Sequence, residues 1–118
     1  MDPSAREKIE EIIRLRKKAH SFYSKNSKVY EAFSEMERRA YSDGALPKKS
    51  KELIAIGISL ATNCESCMEW HIKQAIDCGA VTDEIIEAIG VGIEMSGGPG
   101  TVAARFAMNI LEFYGNLS

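Results

Sequence analysis

Glu52 is separated by eleven residues from Cys64-Glu65-Ser66-Cys67, and His71 follows after three more, so two thiols, an imidazole and a carboxylate fall within twenty residues. The thiolate is the reactive form of cysteine, and a helix N-terminus or a nearby imidazole raises its share by lowering the thiol pKa. Two cysteines three positions apart can also cycle between dithiol and disulfide in a reducing compartment, or bind a metal. These are the parts of a thiol redox site. A thiolate so placed can attack a peroxide oxygen or a disulfide.

Such a site needs elements to hold it, and the chain punctuates itself as helices. Asp2 before Pro3 supplies an acidic N-cap with proline at the first helical position, and Ile9, Ile12, Ile13 and Ala19 recur at helical spacing through about Phe22. Asn26 or Ser27 can cap a second helix with the stripe Val29, Tyr30, Phe33, Met36 and Ala40, ending near Tyr41 with Gly44 beyond it. Pro47 opens a third segment that runs to about Ala61, and Asn63 or Cys64 opens a fourth that stops at Cys78-Gly79. A fifth begins at Thr82, with Asp83 and Glu84 at the positive end of the helix dipole and Ile85, Ile86, Ile89 and Ile93 turned inward. The last runs from Thr101 to about Tyr114, after Gly97-Gly98-Pro99-Gly100. The expected fold is therefore all-α, a bundle of about six helices with the Cys-x-x-Cys at the start of one of them.

One segment admits a second reading. Leu53 to Ala61 is almost continuously apolar, which suits a buried strand as well as a buried helix. A strand leading into Cys-x-x-Cys would be the thioredoxin arrangement. Apart from Ile89 to Met95, however, the chain offers no period-2 partner, and a lone strand makes no sheet. Helix is the better expectation. On that reading Glu52 lies roughly 15 Å of helix rise before the turn at Thr62-Asn63, and His71 roughly 10 Å after Cys64. Folded back antiparallel, the two come to similar heights. Cys64, Cys67 and His71 share one face at i, i+3 and i+7, so carboxylate, imidazole and thiol can form a line.

The pattern Glu-x11-Cys-x2-Cys-x3-His, followed by a Gly-Gly-Pro loop and a further helix, resembles the carboxymuconolactone decarboxylase-like superfamily, specifically its alkylhydroperoxidase D branch. The resemblance spans roughly Leu46 to Phe113. It implies an all-helical fold that assembles into trimers or hexamers. It also implies a peroxidase in which Cys67 is the peroxidatic thiolate, Cys64 the resolving thiol, and His71 with Glu52 the proton relay. Cys67 would pass through a sulfenic acid and condense with Cys64 to a disulfide. A dithiol reductant, a lipoamide or a thioredoxin-like partner, would then restore the pair by exchange. Ser66 stands between the cysteines where several relatives carry a histidine or an aromatic. The decarboxylase that names the superfamily lacks the cysteine pair, so decarboxylation is a weak inheritance here.

Bulk properties narrow the alternatives. A chain of 118 residues, read over its whole length 1–118, is the size of one domain and needs no disulfide staples. A net charge of -2, from 15 basic and 17 acidic residues, leaves no electrostatic footprint for nucleic acid or an anionic membrane. Met1 to Lys18 is charged throughout, unlike a signal peptide, and no run approaches the roughly 18 apolar residues of a membrane span, so a cytoplasmic location is expected. No cofactor is called for. The rival reading of the constellation is a non-catalytic module in which Cys64, Cys67, His71 and Glu52 hold zinc. Haem attachment is excluded because Met68, not histidine, follows Cys67.

The remaining candidates read as structural. Cys78 lies eleven residues beyond Cys67, roughly 16 Å along a helix, too far for a disulfide, and is expected to be a buried thiol. His20 is expected near a helix C-terminus facing the dipole. Trp70, next to His71, is expected in the core ahead of walling the site or filling a subunit contact, and Tyr30, Phe33 and Met36 in the core or an interface. The Gly97-Gly98-Pro99-Gly100 run is no P-loop, since no Gly-Lys-Ser/Thr follows; it should let two helices approach closely. A hydrophobic content of 45% in so short a helical chain, with Leu53 to Ala61 apolar on nearly all sides, favours a homo-oligomer.

Overall fold

The computed structural model describes residues 1–115. Six helices follow in order: α1 (Pro3–Asn26), α2 (Lys28–Ala40), α3 (Lys48–Ala61), α4 (Glu65–Asp77), α5 (Thr82–Ser96) and α6 (Gly98–Phe113). Among the described residues there is no strand, so the Leu53–Ala61 run is helix.

Local chemistry accounts for most of the boundaries. The Asp2 carboxylate accepts from the Ser4 amide and, at 2.7 Å, from its hydroxyl, ahead of Pro3. α1 runs four residues past the expected end at Phe22, because Tyr23 to Asn26 contain neither glycine nor proline to stop it. Ser27 alone makes the corner: extended at φ -134°, it ends α1 and caps α2, its hydroxyl accepting from the Tyr30 amide at 3.1 Å. His20 is consequently not in a last turn facing the dipole; it lies inside α1 with Nδ1 2.8 Å from the Tyr30 hydroxyl on α2. α6 begins three residues earlier than Thr101, since Pro99 is tolerated in the first turn, where its missing N–H has no helical partner anyway.

α3 lies across α4 and α5, α6 packs on both of these, and α1 rests against α6 and α4. Ile56 and Leu60 of α3, Met68 and Ile72 of α4, Ile85 of α5 and Ile110 of α6 meet in one core, which Ile9 of α1 closes. α2 packs on α1 and buries none of its residues, so of the core or interface expected for its stripe the core is ruled out: Val29, Phe33 and Met36 are exposed because no helix among the described residues crosses that face. α3 likewise buries one side only, leaving Ile54 and Ile58 exposed beside Val91 and Met95 of α5. Cys78 caps the end of α4 and is half-buried rather than fully buried, because Gly79, at φ 88°, turns the chain away there. Trp70 is half-buried too, with the Arg16 guanidinium 5.3 Å over its ring, and is not a core residue.

Glycines set two close approaches. At Gly100 an added Cβ would lie 2.8 Å from the Ser96 Cβ and 3.0 Å from the Ile93 Cα, so the Gly-Gly-Pro-Gly run does bring α5 and α6 together. Where α3 crosses α5, a Cβ at Gly92 would lie 2.8 Å from the Gly57 carbonyl oxygen and 3.0 Å from the Leu60 Cβ. Backbone cannot yield as a side-chain tip does, so Gly92→Ala is expected to destabilise the fold by about 1–3 kcal/mol. Gly90→Ala, with nothing within 4 Å of its Cβ, should be neutral or slightly stabilising on the same helix. Urea midpoints of the two variants decide this; equal midpoints would refute the close-packed crossing.

Candidate active site

Cys64 is the N-cap of α4, and its Sγ accepts a hydrogen bond from the Cys67 amide at 3.2 Å. The backbone that makes this possible is the α3–α4 turn. Asn63 takes a left-handed conformation at φ 51°, which asparagine tolerates, and the amides of Asn63 and Cys64 bond back to the Leu60 and Ser59 carbonyls. Cys64 and Cys67 are joined as a disulfide, with Cα atoms 5.2 Å apart. Both thus sit at the positive end of a helix, where a thiolate is favoured on reduction.

Glu52, in the first turns of α3, is 1% exposed. The antiparallel α3–α4 pairing brings it level with His71, whose Nδ1 lies 2.7 Å from the carboxylate Oε1. A carboxylate can only accept, so His71 donates from Nδ1, which leaves Nε2 as the ring nitrogen not engaged by Glu52. Cys67 stands one turn before His71 on the same helix face.

Two further residues complete this arrangement. Lys48 donates to the other carboxylate oxygen, Oε2, at 2.7 Å. The i,i+4 spacing of Lys48 and Glu52 carried that signal. The Tyr41 ring lies against the His71 ring, tilted by 34° with centroids 5.0 Å apart, a contact between the end of α2 and α4 that no spacing indicated. Burial works against the charge on Glu52, but the hydrogen bonds from His71 and Lys48 outweigh it and hold the carboxyl below its ordinary range. Burial also pulls Lys48 down, and Glu52 more than offsets it, leaving the ammonium above its usual value. Burial, then the Glu52 and Glu37 charges, push the Tyr41 phenol up, so it stays protonated against the imidazole.

A second buried carboxylate lies on α4. Glu69, 1% exposed, takes Arg16 Nη1 at 2.5 Å on Oε1 and the Tyr114 hydroxyl on Oε2. Burial and the neighbouring Glu69 raise the Tyr114 pKa, keeping that hydroxyl a donor. Arg16 Nη2 reaches the carbonyl and hydroxyl oxygens of Ser66 at 2.9 and 3.1 Å. Nothing in the local pattern around Arg16, one cation among many on α1, distinguished it.

Among the described residues no group of three or more His, Cys, Asp or Glu is placed to hold a metal ion, and no helix is long and apolar enough to cross a membrane. Glu52 has both oxygens engaged by Lys48 and His71, which leaves it a poor fourth ligand.

Known proteins share this sequence pattern and fold. Residues 27–109 match the model of the carboxymuconolactone decarboxylase family. An uncharacterised protein of the cox locus of Paracoccus denitrificans is 37% identical over 84 residues, covering 71% of this chain and 76% of that one. An uncharacterised protein of Cupriavidus necator is 36% identical over 77 residues, 65% of this chain and 68% of that one. Among solved structures, a carboxymuconolactone decarboxylase family protein from Legionella pneumophila, in its apo form, superposes with a TM-score of 0.79 at 30% identity, covering 90% of this chain and 96% of that one. One from Thermotoga maritima has the same fold, with a TM-score of 0.82 at 24% identity over 89% of this chain and 90% of that one. With the family model matched over most of its length, the chain belongs to the carboxymuconolactone decarboxylase family.

Proposed function

We propose that this protein is a thiol-dependent hydroperoxide reductase of the alkylhydroperoxidase type. The observation that carries the reading is the buried Glu52–His71 hydrogen bond of 2.7 Å, one helical turn from a cysteine pair already closed as a disulfide. His71 Nε2 takes the proton of Cys67, and Glu52 stabilises the imidazolium that results. The Cys67 thiolate attacks the hydroxyl oxygen of ROOH, the one not bonded to R; the S–O bond forms as the O–O bond breaks, and the leaving alkoxide takes the proton back from His71 as ROH. Cys64 then attacks the sulfenic sulfur, forming the S–S bond and releasing water. A dithiol donor, lipoamide or a thioredoxin-like protein, reopens the bridge by two exchanges and is itself oxidised to a disulfide.

The same reading makes the protein a homo-oligomer, a trimer or hexamer. The exposed apolar faces of α2 and of the α3–α5 groove support that part of it. A reducing cytoplasm suits a site that must return to the dithiol.

The experiment is a thiol titration of reduced protein before and after one equivalent of hydroperoxide, with a zinc assay alongside. Two of the three cysteines are expected to disappear with no zinc present. Three surviving thiols, or stoichiometric zinc, would replace this proposal with the metal-binding module.

A further inference from the structure

The relay from Glu52 leaves unexplained the other buried carboxylate of α4. An ion pair whose carboxylate is fully buried and whose guanidinium is partly so, as in Arg16–Glu69, costs desolvation, so stability alone is a weak reason for it. Its geometry offers a better one. Arg16 is forked: Nη1 is held by Glu69, and Nη2 grips Ser66, the residue between the Glu65 side of the pair and Cys67. The Ser66 carbonyl that accepts from Arg16 at 2.9 Å and the Cys67 N–H that donates to Cys64 Sγ at 3.2 Å belong to a single peptide unit. A cation on the carbonyl end of a peptide polarises it and makes its N–H a stronger donor. That N–H gains most when its acceptor becomes an anion, as Cys64 does when the bridge is reduced and its sulfur departs with the electron pair.

The other charges near this turn do not do the same work. Lys8 pairs with Glu65 at 2.9 Å in an exposed, solvent-screened contact, and His71 is committed to Glu52. Arg16 is the cation with a hydrogen bond into the backbone between the cysteines, and Glu69 with Tyr114 holds it there.

We infer that Arg16, oriented by Glu69, is a positioning residue that sets the redox poise of the Cys64–Cys67 pair by stabilising the Cys64 thiolate through the Ser66–Cys67 peptide. This rests on the proposed redox role of the pair. Stabilising a thiolate of the reduced form makes the disulfide more easily reduced, so losing Arg16 should make the pair more reducing.

Wild type, Arg16→Lys and the double variant Arg16→Gln/Glu69→Gln are each equilibrated in glutathione–glutathione disulfide buffers and the reduced fraction read by thiol alkylation. Thiolate ultraviolet absorbance against pH is read on the same samples, and circular dichroism checks the fold. The double variant leaves no unpaired buried charge. Arg16→Lys keeps a charge against Glu69 but lacks the fork that spans Glu69 and Ser66. Both are expected to favour the disulfide by about tenfold relative to wild type, about 30 mV for a two-electron couple, with a raised thiol pKa. If the double variant does not fold, Arg16→Lys decides. A wild type that does not exchange with glutathione at all would overturn the redox reading of the pair. A wild type that exchanges, with folded variants within twofold of it or shifted the opposite way, would overturn the role of Arg16 alone.

Discussion

Cys67→Ser is expected to lower hydroperoxide consumption by about a thousandfold or more, the scale seen when a covalent nucleophile is removed. A serine hydroxyl ionises far above neutral pH, so neither the helix dipole nor His71 can make it the nucleophile the thiolate is. Cys64→Ser should behave differently. Its Cys67 still attacks, so the reduced protein consumes one equivalent of peroxide and stops as a sulfenic acid, which a sulfenic-acid-reactive probe can trap. Peroxide consumption per protomer, measured without reductant, separates the two. A Cys67→Ser variant with wild-type turnover would remove the assigned nucleophile, and a reversal of the two phenotypes would move that role to the N-cap sulfur of Cys64.

The relay predicts the second large effect. In Glu52→Gln the side-chain oxygen must face Lys48, because an ammonium has no acceptor to offer, and this turns the amide NH2 toward His71. Nδ1 must then accept, the ring proton moves to Nε2, and the atom that should take the Cys67 proton is blocked. The expected loss is about 10²–10⁴-fold in kcat/KM, the range for a positioned general base. Lys48→Met, which leaves the His71–Glu52 bond in place, should lose much less. The stability profile carries its own sign. The Glu52 carboxyl is held below its ordinary value of 4.5, so its contribution is present above that pH and lost as pH falls through the lower folded value. Between those values wild type should lose more stability than Glu52→Gln. Rates at neutral pH and melting temperatures across the acid range test both statements, and a Glu52→Gln variant within threefold of wild-type rate would show that the carboxylate is not part of the chemistry.

Much of this was legible in residues close together in the chain. The opening of a helix at Asn63 or Cys64, the i+3 and i+7 relation of Cys64 to Cys67 and His71, and the height match of Glu52 across a short turn all follow from helix geometry, and the structure makes Cys64 the N-cap and has Glu52 and His71 hydrogen-bonded. The boundaries that differed did so where a breaker was absent, as at Tyr23 to Asn26, or where proline fits a first turn, as at Pro99. Periodicity marked Val29, Phe33 and Met36 as one face of a helix, but a face is buried only if another element arrives over it.

By itself, then, the sequence determined the six helices, the disulfide-competent spacing of Cys64 and Cys67, and the membership of Glu52 and His71 in one site. Those depend on interactions within a few turns of chain, where rise and period are constants. Only the tertiary structure decided that Tyr41 covers His71 and that Arg16, some fifty residues from Ser66, reaches the backbone between the cysteines with Glu69 and Tyr114 behind it. Contacts at that separation depend on how helices cross and how far each is rotated, and crossing is set by the whole core, from Gly92 against Gly57 to Ile9 over α4 and α6, rather than by any local pattern.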